Sequence, residues 1–144
     1  MEIREVMTEE VVTAPPDCPA RQVAELMRER NVGSVILLDG VDIVGFVTDR
    51  DLALSIVADG RSADEPISGH ASAPVVTGRP GMDVDEAVEL MARNGIRRLP
   101  ILDGDHLTGI ITLDDLAIRI GDGTITATVT RAALPGFYFH DRGG

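Results

Sequence analysis

Two stretches decide the reading: Gly45-Phe46-Val47-Thr48-Asp49-Arg50-Asp51 and, 64 residues on, Gly109-Ile110-Ile111-Thr112-Leu113-Asp114-Asp115. Each follows an apolar run that suits a buried strand, and each leads into a segment with helical spacing. Working outward from them, the chain repeats itself. At the same offset Val11 to Ala53 aligns without a gap on Val75 to Ala117, and roughly a third of the positions are identical. Val11-Val12-Thr13 falls on Val75-Val76-Thr77, Glu25-Leu26-Met27 on Glu89-Leu90-Met91, and Leu38-Asp39-Gly40 on Leu102-Asp103-Gly104. Two copies at so long a period are too few for a solenoid and imply a pseudo-two-fold pair.

Each copy has the same grammar. A short β segment (11–13, 75–77) turns into a helix over about 20–30 or 84–93. The apolar faces of these helices are Val23, Ala24, Leu26 and Met27 in one, and Ala87, Val88, Leu90 and Met91 in the other. Asn31 and Gly95 sit where a helix would stop. Two strands follow, 35–38 with 43–47 and 99–102 with 107–111, joined at Asp39-Gly40 and Asp103-Gly104 through loops expected to exceed two residues. A second helix opens near Thr48 or Thr112. The expectation is an α+β fold of two β-α-β-β-α lobes packed sheet to sheet about a pseudo-two-fold axis. The boundaries read as 1–60 for the first domain, 61–74 for a Gly-, Ser- and Pro-rich linker, 75–121 for the second domain and 122–144 for a tail. Thr124 to Thr130 alternates like a strand, and Phe137-Tyr138-Phe139-His140 holds most of the aromatic residues.

Composition narrows the function. The 144 residues are 44% hydrophobic but only 3% aromatic, with no Trp, so the core is aliphatic and base stacking is not a general binding device. The net charge of -11 and the lack of any basic run beyond Arg97-Arg98 argue against nucleic acid and anionic membranes as partners. Every basic residue is Arg, which removes Schiff-base chemistry and a P-loop lysine. The single cysteine, Cys18, has no partner for an internal disulfide, and a charged rather than apolar start does not resemble a signal peptide. A reducing, cytoplasmic setting is expected. His70, His106 and His140 share no metal-ligand spacing and are expected in solvent. No nucleophile, base and oxyanion set is recognisable, so the chain is not expected to be an enzyme.

The paired Gly-x-x-Thr-x-x-Asp elements, the β-α-β-β-α units and the entry Val6-Met7-Thr8 together closely resemble the CBS (cystathionine-β-synthase) domain family, over nearly the whole chain except the tail. The resemblance implies an adenosyl ligand in a cleft between the copies, with Thr48 or Thr112 on phosphate and Asp51 or Asp115 on ribose. Physically this is sound. A helix N-terminus offers N–H groups and a positive dipole end, and a carboxylate one turn on can accept from both vicinal hydroxyls. Gly45 and Gly109 permit close approach of ligand or backbone. Thr13 and Thr77, closing the leading β segments, join the candidate set.

Arg97 and Arg98, and more weakly Arg50, are phosphate candidates by their planar donor fork. A solvated pair offsetting nearby carboxylates is the competing account of Arg97-Arg98, and a capping box is the competing account of Thr-x-x-Asp. The first copy has Gly33 and Ser34 where the second has Arg97 and Arg98, so the clefts are unequal. So little positive charge favours AMP over ADP or ATP, with Mg²⁺ needed only for a polyphosphate and no cofactor required. The expected protein is a stand-alone regulatory sensor, paired as a homodimer, with an unidentified regulated protein partner. The alternative is a structural or protein-interaction module with empty clefts.

Overall fold

The structure is a computed structural model that describes residues 1–120. The tail readings, including Thr124 to Thr130, the aromatic cluster and His140, lie outside the described residues. The described residues divide into two compact units: 11–75, and 1–10 together with 76–120.

The 11–75 unit contains β1 (Thr13–Ala14), α1 (Ala20–Arg30), β2 (Ser34–Asp39), β3 (Asp42–Thr48) and α2 (Asp49–Leu52). A π-helical stretch, Ala53–Ala58, continues α2. The sheet order is β1-β2-β3, with β1 parallel to β2 and β2 antiparallel to β3. The other unit contains α3 (Val84–Asn94), β4 (Arg98–Asp103), β5 (His106–Thr112) and α4 (Leu113–Ile120), with β4 antiparallel to β5. The fold is α+β, as expected.

Local chemistry explains the elements. Helix α1 buries Ala20, Val23 and Met27, and α3 buries Val84, Ala87, Val88 and Met91, the i, i+3, i+4 face foreseen. Ala24 departs from that face, since it is exposed, and Leu26 and Leu90 are half-buried against the two cores. Asn31 at φ 54° and Gly95 at φ 63° end the two helices in the left-handed region, where Asn and Gly carry little penalty.

The hairpin loops are shorter than expected. Asp39 pairs with Asp42 and Asp103 with His106, leaving only Gly40-Val41 and Gly104-Asp105 between the strands. Gly40 (φ 65°) and Gly104 (φ 61°) supply the positive φ that the first central residue of a tight hairpin turn requires.

The expected strand at 75–77 does not form. In the first copy the Ile36 amide donates to the Val12 carbonyl at 3.1 Å and helps hold the parallel β1–β2 pair. The corresponding residue is Pro100, which has no N–H. Pairing there shrinks to the single bridge Gly78–Ile101, made by Gly78 N to Pro100 O (2.8 Å) and Leu102 N to Gly78 O (2.9 Å).

The stretch read as a linker is part of a unit. Its Ile67 is fully buried in the core of Ala20, Val23, Val35, Leu37 and Val47. Ser72 exchanges both backbone hydrogen bonds with Phe46 on β3 (3.0 and 2.9 Å). The first residues of the chain do the same for the second copy: Thr8 exchanges both bonds with Ile110 on β5 (2.9 Å each), and Ile3 lies fully buried among Met91, Leu99, Ile101 and Ile111. Each repeat's leading segment therefore belongs to the other repeat's unit.

Gly45 and Gly109 sit where these segments dock. One residue of each second strand, Val44 or Thr108, is bulged just before the glycine, so the strand bends there. A Cβ on Gly109 would stand 2.8 Å from the Thr8 carbonyl oxygen and 2.7 Å from Met7 Sδ, whereas one on Gly45 would meet only side chains, Ala71 and Leu37, at 3.1 Å. The contacts at Gly109 are the tighter, and one of them is a backbone oxygen held in the Thr8–Ile110 pair. Gly109→Ala is expected to destabilise the chain by about 1–3 kcal/mol, and Gly45→Ala by clearly less. Chemical denaturation of the two variants measures the order, and equal losses would contradict it.

Candidate functional site

The candidate residues fall into two sets, one in each unit. In the 11–75 unit, Thr48 caps α2. Its Oγ1 accepts from the Asp51 amide (3.1 Å) while the Asp51 carboxylate accepts from the Thr48 amide (2.9 Å), a reciprocal capping box. The Asp49 amide donates to the Gly33 carbonyl (3.0 Å), and the Arg50 amide donates to the carboxylate of Asp49 (2.9 Å). All three first-turn amides thus already have acceptors. A phosphate here must displace a side chain, and the Asp49 carboxylate is the one free to swing into solvent. Arg50 is exposed on the same turn. Thr13 is on β1 opposite Ile36, and Ser34 pairs with Thr48 across β2 and β3.

The second set is built alike and charged differently. The Leu113 amide donates to the Arg97 carbonyl (2.8 Å), matching Asp49 and Gly33, and the Asp115 amide donates to Thr112 Oγ1 (3.1 Å). Among the described residues the Asp115 carboxylate and the Asp114 amide have no hydrogen-bond partner. Arg98 pairs with Thr112 across β4 and β5, and Arg97 reaches the Asp114 carboxylate at 3.1 Å. Arg97, Arg98, Thr112, Asp114 and Asp115 are therefore gathered at one end of one hairpin. Thr77 precedes Gly78, whose amide bonds the Pro100 carbonyl on β4. The exposed Arg97–Asp114 pair is weak and exchangeable, so the guanidinium can turn to an incoming anion.

The two glycines are accounted for by the docked segments, and their geometry calls for no ligand. Cys18 is buried, and burial pushes its thiol up from the usual range, with the Asp17 carboxylate adding to the effect, which suits an inert thiol. His106 is exposed as expected. His70 is not: its side chain is 4% exposed, with Nδ1 2.9 Å from Ser55 Oγ and Nε2 3.1 Å from Glu65 Oε1. Extending the repeat upstream places His70 on Val6, a buried position, and that was the signal in the sequence that would have found it. Among the described residues, no group of three or more His, Cys, Asp or Glu side chains is arranged to hold a metal ion.

The asymmetry between the carboxylates can be measured without any ligand. Asp51→Ala removes a hydrogen bond from the Thr48 amide and is expected to cost about 1 kcal/mol. Asp115→Ala removes none among the described residues and should stay within about 0.5 kcal/mol of wild type. Equal losses in denaturant titrations would show that the capping box carries no weight.

Comparison with known proteins agrees with the internal repeat. The family model for the CBS domain matches residues 3–58 and again 67–122. The chain is 40% identical over 117 residues to the CBS domain-containing protein YhcV of Bacillus subtilis, covering 81% of this chain and 84% of that protein. Among solved structures it resembles a putative signal-transduction protein with CBS domains from Burkholderia ambifaria, at 31% identity and a TM-score of 0.74 over 83% of this chain and 92% of the other. It also resembles a hexameric CBS-CP12 protein from bloom-forming cyanobacteria, at 26% identity and a TM-score of 0.76 over 83% and 67%. Both matches to the family model start at the buried isoleucines, Ile3 and Ile67, that head the exchanged segments, and the chain belongs to the CBS domain family as a tandem pair.

Proposed function

We propose that this tandem CBS pair is a regulatory module that binds an adenosine-containing nucleotide through its two Thr-x-x-Asp turns. The observation that carries the reading is the second turn. There a carboxylate and a first-turn amide have no partner among the described residues, the Arg97 guanidinium reaches Asp114 on the same turn and Arg98 stands opposite Thr112 on the neighbouring strand, in a chain of net charge -11. In such a chain, a cluster of donors at a helix start is the place where an anion gains most. Thr112 Oγ1, the Asp114 amide and Arg97 or Arg98 would hold phosphate, and Asp115 would accept from ribose hydroxyls. The first turn, with Thr48, Asp51 and Arg50, offers a weaker version because its amides are occupied. One phosphate suits this supply of charge better than three, so AMP is favoured over ADP and ATP, and Mg²⁺ enters only with a polyphosphate. The chain itself performs no chemistry in this reading and acts in the cytoplasm on an unidentified protein.

A second reading has its own support. The closed capping box at Thr48 and Asp51 is satisfied without a ligand, as a structural or protein-interaction module with empty sites would require. A thermal-shift panel of AMP, ADP, ATP, S-adenosylmethionine and NAD separates the two. A bound nucleotide at about 100 times its dissociation constant adds about 2.7 kcal/mol to stability, a readable rise in Tm. The Asp51→Ala/Asp115→Ala double variant should lose nearly all of that rise while still folding. No rise with any of the five ligands favours the interaction module.

Self-association is the further part of the proposal. Leu54 and Ile118 occupy the same place on the two second helices and are 47% and 80% exposed, with Val57 at 79% a turn beyond Leu54. Large aliphatic side chains presented twice at equivalent positions suit burial against a second copy. Static light scattering should report twice the chain mass at micromolar concentration. Leu54→Arg with Ile118→Arg should return the monomer, and a wild-type monomer would remove the dimer.

A further inference from the structure

The buried group left unused by the nucleotide reading is His70, and its proton balance can be worked out from the atoms around it. Ser55 Oγ lies 2.7 Å from the Asp51 carbonyl oxygen, which can only accept, so the single hydroxyl proton of Ser55 points there. His70 Nδ1, 2.9 Å from the same Oγ, must then be the donor in that contact. On the other side of the ring, Nε2 faces the Glu65 carboxylate at 3.1 Å. Arg61 grips that carboxylate with two hydrogen bonds of 2.9 Å each and holds it below the usual carboxylate range, so Glu65 also only accepts. Both ring nitrogens must donate for every contact to be made, and only the imidazolium has two N–H groups.

We propose that His70 is a proton-operated latch that ties the 61–70 segment to the turn bearing Asp51. With the ring protonated, the chain of contacts Asp51 C=O, Ser55 Oγ, His70, Glu65, Arg61 is complete. When Nδ1 loses its proton to solvent, the Ser55 hydroxyl can serve either Nδ1 or the Asp51 carbonyl, but not both. If it turns to Nδ1, the Asp51 turn loses its tie at the start of the π-helical stretch 53–58. That stretch has the looser geometry that often marks adjustable positions.

The other charges around the latch are few. Glu65 and Arg61 come from the preceding turn, with Asp59 beyond them, and Asp51 comes from α2, its carboxylate committed to the Thr48 amide. Arg21 of α1 is paired with Asp64. The Cys18 backbone carbonyl bonds the Ile67 amide, and its thiol is buried and pushed up. Among these groups only the imidazole ordinarily changes charge between about pH 5 and 8. At the corresponding place in the other unit, Arg119 donates to the Val6 carbonyl (2.7 Å), a tie that does not titrate in that range. The latch is confined to one of the two units and needs no nucleotide.

The test uses the full chain without ligand, so its outcome is independent of nucleotide binding. Long-range ¹H–¹⁵N correlation spectra from about pH 5.5 to 8.5 read the protonation of each ring nitrogen, with His70 assigned by its absence in His70→Gln. Both nitrogens of His70 should carry protons at the acid end, and Nδ1 should be the one that loses its proton as pH rises, together with a shift of the Asp51 amide. In parallel, the Tm gap between wild type and His70→Gln should be a few degrees larger at the acid end than at the alkaline end. Ser55→Ala leaves Nδ1 nothing to donate to while Glu65 still faces Nε2, so the Tm gap between wild type and Ser55→Ala should also be larger at the acid end, and this comparison serves if His70→Gln does not fold. An Nδ1 without a proton across the whole range, or a Tm gap that does not change with pH, overturns the proposal.

Discussion

Both units depend on one constraint: a two-way backbone clasp between an incoming segment and the second strand of a hairpin, closed over a glycine. Thr8 and Ile110 exchange both hydrogen bonds in one unit, and Ser72 and Phe46 do so in the other. The clasp brings a buried isoleucine, Ile3 or Ile67, into each aliphatic core. With 3% aromatic residues, each small core relies on many medium-sized side chains, and burying one fully is worth about 1.5–3 kcal/mol. Losing the clasp would therefore remove more than two hydrogen bonds. It also explains why the motif glycines are glycines: at Gly109 the approaching backbone occupies the space a Cβ would need.

Seen from the clasp, the Thr-x-x-Asp turns inherit their positions from it. The glycine fixes where the second strand bends, the strand ends three residues later at Thr48 or Thr112, and the helix starts there. Local hydrogen bonds then set what each turn offers. In the first copy the capping box closes on itself, while in the second the carboxylate has no partner among the described residues and Arg97 and Arg98 stand close by. The same motif is thus closed by its own hydrogen bonds in one copy and leaves its carboxylate without a partner among the described residues in the other. The difference comes from four positions, Gly33, Ser34, Asp49 and Arg50 against Arg97, Arg98, Leu113 and Asp114.

Much of this was legible in the sequence because it is local. Helix ends at Asn31 and Gly95, hairpins at Asp-Gly and the paired motif all follow from short-range backbone preferences. Pro100 announces the missing strand at 75–77 as soon as it is aligned on Ile36, since a residue without an N–H cannot complete that pair. What escaped is non-local. No periodicity in Met1 to Glu10 says that these residues fold with the second copy, and a Gly-, Ser- and Pro-rich 61–74 resembles a linker because its apolar anchors are single residues. The burial of His70 escaped for the same reason: polar residues read as exposed until Ser55 and Glu65, 15 and 5 residues away, are brought to it.

The exchange of leading segments is the claim on which the rest stands, and hydrogen exchange followed by mass spectrometry tests it directly on a chain lacking Met1 to Glu10. Protection should fall in β4, β5 and α3, the elements those residues pack with, while β2, β3 and α1 keep theirs. Loss of protection confined to the 11–75 unit would contradict the account.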